Sequence, residues 1–189
     1  MELLLEKIKD KVSVNFDLKD SKVDTKQKKI DFYIKKEMTS SILFYLKEQM
    51  GFKHLMHVTV VDWVEEGEYE MIFLLWAPKE KISAFVRTRL DRDNAKMDNM
   101  DMIWPQLNTY EREFKEMYGI KFKGLKAPDE FILEDWDGPP PMRRDFDTAA
   151  YAKDVFTERT GREDAQDVRE TIAKRSGEEL PDFAKKYSR

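Results

Sequence analysis

Leu3, Leu4, Leu5 and Ile8 stand among charged neighbours and predict a short amphipathic helix over 2–10. Val12, Val14, Phe16 and Leu18 then alternate with polar residues, the period of a half-buried strand. Residues 19–27 are polar turn material. Ile30, Phe32 and Ile34 alternate again and suggest a hairpin partner. From Thr39 the period changes: Ile42, Leu43, Tyr45, Leu46 and Met50 sit at helical spacing. Thr39 or Ser40 can cap this helix and Gly51 can stop it. Three strands follow over 55–64, 69–77 and 82–90. Glu65-Glu66-Gly67-Glu68 turns between the first two, and Pro78 closes the second. A helix over 109–118 has Asn108 as its N-cap, Glu111 three residues on and Gly119 at its end. A short strand follows at Ile120 and Phe122.

This order, α-β-β-α-β-β-β-α, predicts an α+β fold. It is a compact two-layer domain with a mostly antiparallel sheet and helices on one face, over residues 1–124. Beyond Gly124 the pattern fails. Pro128, Pro139, Pro140 and Pro141 make 125–147 an extended, Pro-rich connector. Residues 148–189 form a charged C-terminal tail. From Met142 to Arg189 there are eleven basic and eleven acidic residues, with thinly spread apolar ones. Helical segments are expected near 148–158 and 162–175. The tail's narrow apolar stripe cannot offset its ordering entropy, so it is expected to fold only against partner subunits.

Composition narrows the chemistry. The chain of 189 residues has no cysteine and two histidines. Thiolate-held iron–sulfur clusters, redox dithiols and the usual structural zinc sites therefore cannot be built from it alone. Lys+Arg 34 against Asp+Glu 38 gives a net charge of −4, which argues against a generic nucleic-acid binder. Abundant Lys and Glu with few Asn and Gln lean towards a thermophile, against which ten Met weigh mildly. No apolar run reaches the roughly 18–20 residues of a membrane span, and the acidic N-terminus is unlike a signal peptide. A cytoplasmic, soluble or peripheral protein is expected.

Candidate catalytic and metal groups are few. His54 and His57 share a predicted strand, where positions three apart point to opposite faces, so a sheet-edge or core role outranks a metal site. Glu134, Asp135 and Asp137 surround Trp136, and paired carboxylates can hold Mg or perform acid–base work. No base, nucleophile or phosphate loop accompanies them, so a carboxylate-metal hydrolase is a minor reading. Trp63, Tyr69, Phe73 and Trp76 could form a stacking platform for single-stranded nucleic acid. Glu65, Glu66, Glu68 and Glu70 around them favour core packing. On the helix 109–118, Glu111 can meet Lys115 and Arg112 can meet Glu116 at i, i+4, opposite an apolar ridge of Phe114, Met117 and Tyr118.

The segment Glu111-Arg112-Glu113, Glu116, Met117-Tyr118, Gly119-Ile120 and Phe122 resembles the hallmark of the 30-kilodalton subunit of respiratory complex I. The family extends to membrane-bound hydrogenases and related ferredoxin-linked complexes. Asp101-Met102-Ile103-Trp104-Pro105 is similar to its Asp-Ile-Trp-Pro approach. Glu134-Asp135-Trp136-Asp137-Gly138 resembles its Glu-Asp-Trp-Glu-Gly, and Pro141-Met142-Arg143-Arg144-Asp145-Phe146 its Pro-Leu-Arg-Lys-Asp-Phe. The likeness covers residues 54–146 best. The chain departs from it at Leu125-Lys126-Ala127-Pro128-Asp129-Glu130, where the family's basic pair is missing. Pro139 or Pro140 stands where the family has His.

The resemblance implies a cofactor-free scaffold in the peripheral arm of a membrane-bound oxidoreductase, with no catalytic residues of its own. Iron–sulfur clusters are expected in partner subunits. The implied partners are a large hydrogenase-like subunit and an iron–sulfur small subunit, with indirect association with membrane subunits and no nucleic acid. The divergent loop and composition favour an archaeal, ferredoxin-linked hydrogenase or sulfane/polysulfide reductase on the cytoplasmic side of the membrane, moving H⁺ or Na⁺. An NADH–quinone oxidoreductase is the near alternative. A free-standing module whose tail folds on a soluble partner is the alternative of another class. Glu111, Arg112, Glu113, Trp136, Arg143 and Arg144 are expected at the subunit interface or at the tail's exit.

Overall fold

The computed structural model describes residues 2–125 and 130–155. The chain divides into two units, Met1–Phe146 and Asp147–Arg189. In the first, helix α1 spans Glu2–Asn15, β1 Asp20–Asp24, β2 Lys29–Ile34 and α2 Thr39–Glu48. Three ten-residue strands follow: β3 His54–Trp63, β4 Glu68–Ala77 and β5 Ile82–Asp91. Then come β6 at Lys96–Asp98, α3 at Leu107–Tyr118 and β7 at Lys121–Lys123. In the second unit, α4 occupies Thr148–Val155, within the first expected tail segment. The helix expected over 162–175, and the tail's need of a partner, fall outside the described residues.

The first corrections come at the N-terminus. The expected strand over 12–18 does not form: α1 continues through it to Asn15, and β1 lies further on. Leu5, Ile8 and Val12 are buried on one helical face, while Val14 is 85% exposed. Each fully buried aliphatic side chain contributes about 1.5–3 kcal/mol, so that shared face outweighs a local alternation.

The main sheet runs β1-β2-β5-β4-β3, with every pair antiparallel except β2 and β5. From β2 the chain crosses through α2 to the far edge at β3. It returns by two hairpins, so that β5 fits alongside β2. The alternate residues Val58, Val60, Tyr69, Met71, Phe73, Leu75, Ala84, Val86 and Leu90 enter one core. Apolar faces of α1, α2 and α3 join them there. This is the α+β, mostly antiparallel fold that the hydrophobic pattern predicts. β6, which the pattern did not predict, pairs with β7 in a separate parallel ribbon.

The opposite sheet face is paved by the chain's own cations. Arg87 lies over Tyr33 and Phe85, and Arg89 over Trp63. Arg87 also binds Asp31 at 2.9 Å. The aromatics considered as a platform are thereby divided. Tyr69 and Phe73 are fully buried, whereas Trp63 and Trp76 are half-buried on this other face. A bulge between Leu55 and His57 sets His54 opposite Trp76 and His57 opposite Leu74. The two histidines therefore share a face, contrary to the regular-strand expectation, because the extra residue restores their parity.

Candidate functional site

Helix α3 and the segment 130–146 make the most elaborate polar construction in the first unit. A left-handed Gly119 (φ 77°) ends α3. Its N–H donates to Lys115 O and that of Ile120 to Phe114 O, a Schellman closure. The start differs from expectation. Gln106 takes the N-cap position without a capping side-chain bond, its amide donating to Leu55 O at 2.6 Å instead, and Asn108 lies within the helix, because Leu107 is already buried in its first turn.

Glu111 is turned inward rather than along the surface over Lys115. It is 1% exposed, and Oε1 accepts Met100 N–H at 2.8 Å. Oε2 is buried with no hydrogen-bond partner among the described residues. Burial, helped by the Asp101 charge and opposed by the Met100 N–H, pushes the Glu111 carboxyl up to about 7.

Arg112 and Glu116 do not simply pair with each other; both grip the following loop. Arg112 donates to Glu130 O at 3.1 Å and lies 4.4 Å from the Phe131 ring centre. The Glu116 carboxylate accepts the N–H groups of Phe131, Ile132 and Leu133, at 2.9, 2.9 and 3.2 Å. Burial raises its pKa, but the three N–H donors outweigh that and hold the group below 4.5. The chain then bends at Asp135 (φ 52°), and Trp136 Nε1 donates to Pro139 O at 3.1 Å. Trp136 also meets Phe146 edge to face, with ring centres 6.0 Å apart. Met142 N–H donates to Met117 O at 3.0 Å, joining this strap to the end of α3.

The strap is clasped at its far end by an ion network. Arg92 donates through Nε and Nη2 to Asp62 at 2.7 and 3.0 Å. It donates through Nη1 and Nη2 to Asp145 at 3.0 and 2.6 Å. The side chains of Arg92 and Asp62 are buried, while that of Asp145 is half exposed. Asp62 also accepts Arg144 N–H at 2.9 Å. Burial pushes the Asp62 carboxyl up, yet the guanidinium and the N–H keep it below 3.8. Arg92 holds the Asp145 carboxyl down at about 2. This double fork is the geometry in which arginine differs most from lysine.

Of the residues singled out from sequence, Arg112, Trp136, Arg143 and Arg144 come together on this strap and its helix. Arg143 meets Asp145 at 3.4 Å, and Arg144 meets Glu65 at 2.9 Å. Glu113 is half-buried on α3, and Glu111 is enclosed. Glu134, Asp135 and Asp137 are exposed. Among the described residues no three acidic or histidine side chains are grouped to hold a metal ion. Sequence reasoning missed Asp62 and Arg92. Their signal was parity: Asp62 continues the inward register of Val58 and Val60, and Arg92 that of Thr88 and Leu90.

Comparison with known proteins accords with this arrangement. The chain is 29% identical over 120 residues to a subunit of the F(420)H(2) dehydrogenase of Methanosarcina mazei, covering 63% of this chain and 76% of the relative. It is 30% identical over 112 residues to a subunit of the NADH-quinone oxidoreductase of Moorella thermoacetica, covering 56% and 72%. Among solved structures, a chain of the membrane-bound sulfane sulfur reductase, an archaeal respiratory membrane complex, superposes with a TM-score of 0.70. It shares 30% identity, covering 82% of this chain and 96% of the other. The family model of the respiratory-chain NADH dehydrogenase 30 Kd subunit matches residues 32–152, most of the sheet together with α3 and the strap, and the chain belongs to that family.

Proposed function

We propose that this chain is a scaffold subunit in the peripheral arm of a ferredoxin-linked, membrane-associated oxidoreductase of the sulfane-sulfur-reducing or hydrogenase type. The observation that carries the reading is the two-way match to the sulfane sulfur reductase chain, nearly complete on that side. In this role the chain holds no redox centre. Iron–sulfur clusters sit in neighbouring subunits, and electron flow through them drives H⁺ or Na⁺ translocation on the membrane side of the complex. The partners are a large hydrogenase-like subunit and an iron–sulfur small subunit. The chain attaches peripherally, on the cytoplasmic side, and no helix among the described residues is long and apolar enough to cross a membrane. Glu113, Arg143 and Arg144 present charge to those neighbours, while Arg112 and Trp136 fix the strap that carries it.

Affinity purification at native expression tests this. The expected result is co-purification with integral membrane and iron–sulfur subunits, with reduced ferredoxin as donor and polysulfide or protons as acceptor. Recovery alone, or with one soluble partner, would refute it. A second reading, a subunit of an NADH–quinone oxidoreductase, draws on the Moorella relative. It requires NADH-dependent quinone reduction by the same preparation.

A further inference from the structure

The β6–β7 ribbon carries a feature that the scaffold role leaves unused. Its register sets Lys96 beside Lys121, Met97 beside Phe122 and Asp98 beside Lys123. Alternation turns Met97 and Phe122 inward, each 7% exposed, and leaves the lysines outside. Between the ribbon and the 3-10 turn at Lys36–Met38 runs a groove of about 400 Å³, lined by Lys36, Lys96, Lys121 and Lys123 and by those two apolar side chains. Only Glu37 and Asp98 oppose the four cations there. Like charges directly opposite on paired strands destabilise the pairing, as Lys96 and Lys121 do here.

Among the described residues some lysines elsewhere are paired and others, such as Lys7, Lys11, Lys26 and Lys28, are not, so the groove is marked by the clustering of its cations. Lys9, Lys22, Lys29, Lys35, Lys47 and Lys53 each lie near a carboxylate. Among the described residues, none of the four groove lysines makes a side-chain hydrogen bond or ion pair. A local cationic excess on a chain of net charge −4 is thus concentrated around an apolar floor. We propose that this groove receives an extended acidic segment of a neighbouring polypeptide. Carboxylates of that segment meet Lys36, Lys96, Lys121 and Lys123, and one of its apolar side chains covers Met97 and Phe122. The proposal rests on the reading that the chain works within a multi-subunit assembly.

The shape favours a peptide over a lipid surface. The apolar floor is recessed, and none of the large exposed apolar side chains, such as Phe44, Met102 and Val14, lines this groove to insert into a bilayer. Amine acetylation and zero-length carbodiimide cross-linking, applied to the purified native complex and to the isolated full chain, test the proposal. The expected result is loss of acetylation at Lys96, Lys121 and Lys123 in the complex, with cross-links from them to Asp or Glu of another polypeptide. Lys96→Glu combined with Lys121→Glu should release that neighbour at ordinary ionic strength, with the melting temperature of the isolated chain little changed. Equal acetylation in the complex and the free chain would overturn the groove proposal while leaving the scaffold role intact. Protection by vesicles containing phosphatidylglycerol, without protein cross-links, would assign the groove to a membrane and overturn it as well. A chain that co-purifies with nothing would overturn both readings.

Discussion

Glu111→Gln should make the protein more stable above neutral pH and leave it nearly unchanged in mild acid. The amide oxygen of Gln can still accept Met100 N–H, and the buried charge is removed. The carboxyl is ordinary, near 4.5, when the chain is unfolded and rises to about 7 in the folded protein. The folded state therefore binds the proton more tightly. The stability linked to this group is fully present below pH 4.5 and is lost as the pH rises through 7. A rise of that size corresponds to about 3 kcal/mol, and relaxation around the ionised group brings the expected gain of the variant to about 2–3 kcal/mol at pH 8. Urea unfolding followed by circular dichroism at pH 5 and pH 8 measures it. The variant and the parent should agree within about 1 kcal/mol at pH 5, with the midpoint of the variant clearly higher at pH 8. Equal destabilisation at both values would refute the reasoning, since it would mean that the ionised carboxylate is fully compensated where it lies.

Gly119→Ala places a methyl group at a left-handed position with Pro140 Cγ 3.1 Å away, and should cost about 2 kcal/mol in thermal or urea unfolding. Gly124→Ala, at φ 89° with nothing within 4 Å, is the control and should cost about half as much; equal losses would show that strap packing adds nothing at Gly119. Asp145→Asn removes one fork of the clasp. The Asp145 carboxyl falls from 3.8 to about 2 on folding, so its contribution is present above pH 3.8 and is lost as the pH falls through 2. Its half-exposed side chain limits the effect to about 1 kcal/mol at pH 7, and the difference from the parent should vanish near pH 2.

The parts of the fold that could be read from sequence are those with a sustained apolar pattern between clear turn residues. β5 alternates along nearly its whole length, β3 is rich in β-branched residues beyond its bulge, β4 is an apolar run bounded by Gly67 and Pro78, and α2 keeps a helical spacing from Ile42 to Leu46. The N-terminus misled because Val12 satisfies two periods. It continues the helical Leu5–Ile8 series and also begins the Val12–Leu18 alternation, and only burial decides between them. β6 is three residues long, too short for any period to show. The position of β5 beside β2 depends on the crossover, which local pattern does not encode. At the candidate site, the density of charge on α3 drew notice to Arg112, and the acidic cluster around Trp136 drew notice to that residue. The direction of Glu111 and Glu116 could not be read, because their partners are backbone N–H groups of distant or irregular segments. Asp62, Arg92, Arg144 and Asp145 meet across 30 to 82 residues of chain, a relation with no local signature.

That separation bears on the order of folding. The bond from Arg144 to Asp62 closes 82 residues of chain, and Arg92 stands between them in sequence, at the end of β5. Contacts so distant are late and entropically slow, and here they need the β3–β5 hairpins to be complete before either fork has a place to bind. During synthesis the sheet can therefore form while the strap still lies inside the ribosome, and the clasp shuts only after residue 145 emerges. The last segment to dock in the first unit is thus the one bearing Arg143 and Arg144, so the surface they present is finished only once the fold behind it is complete.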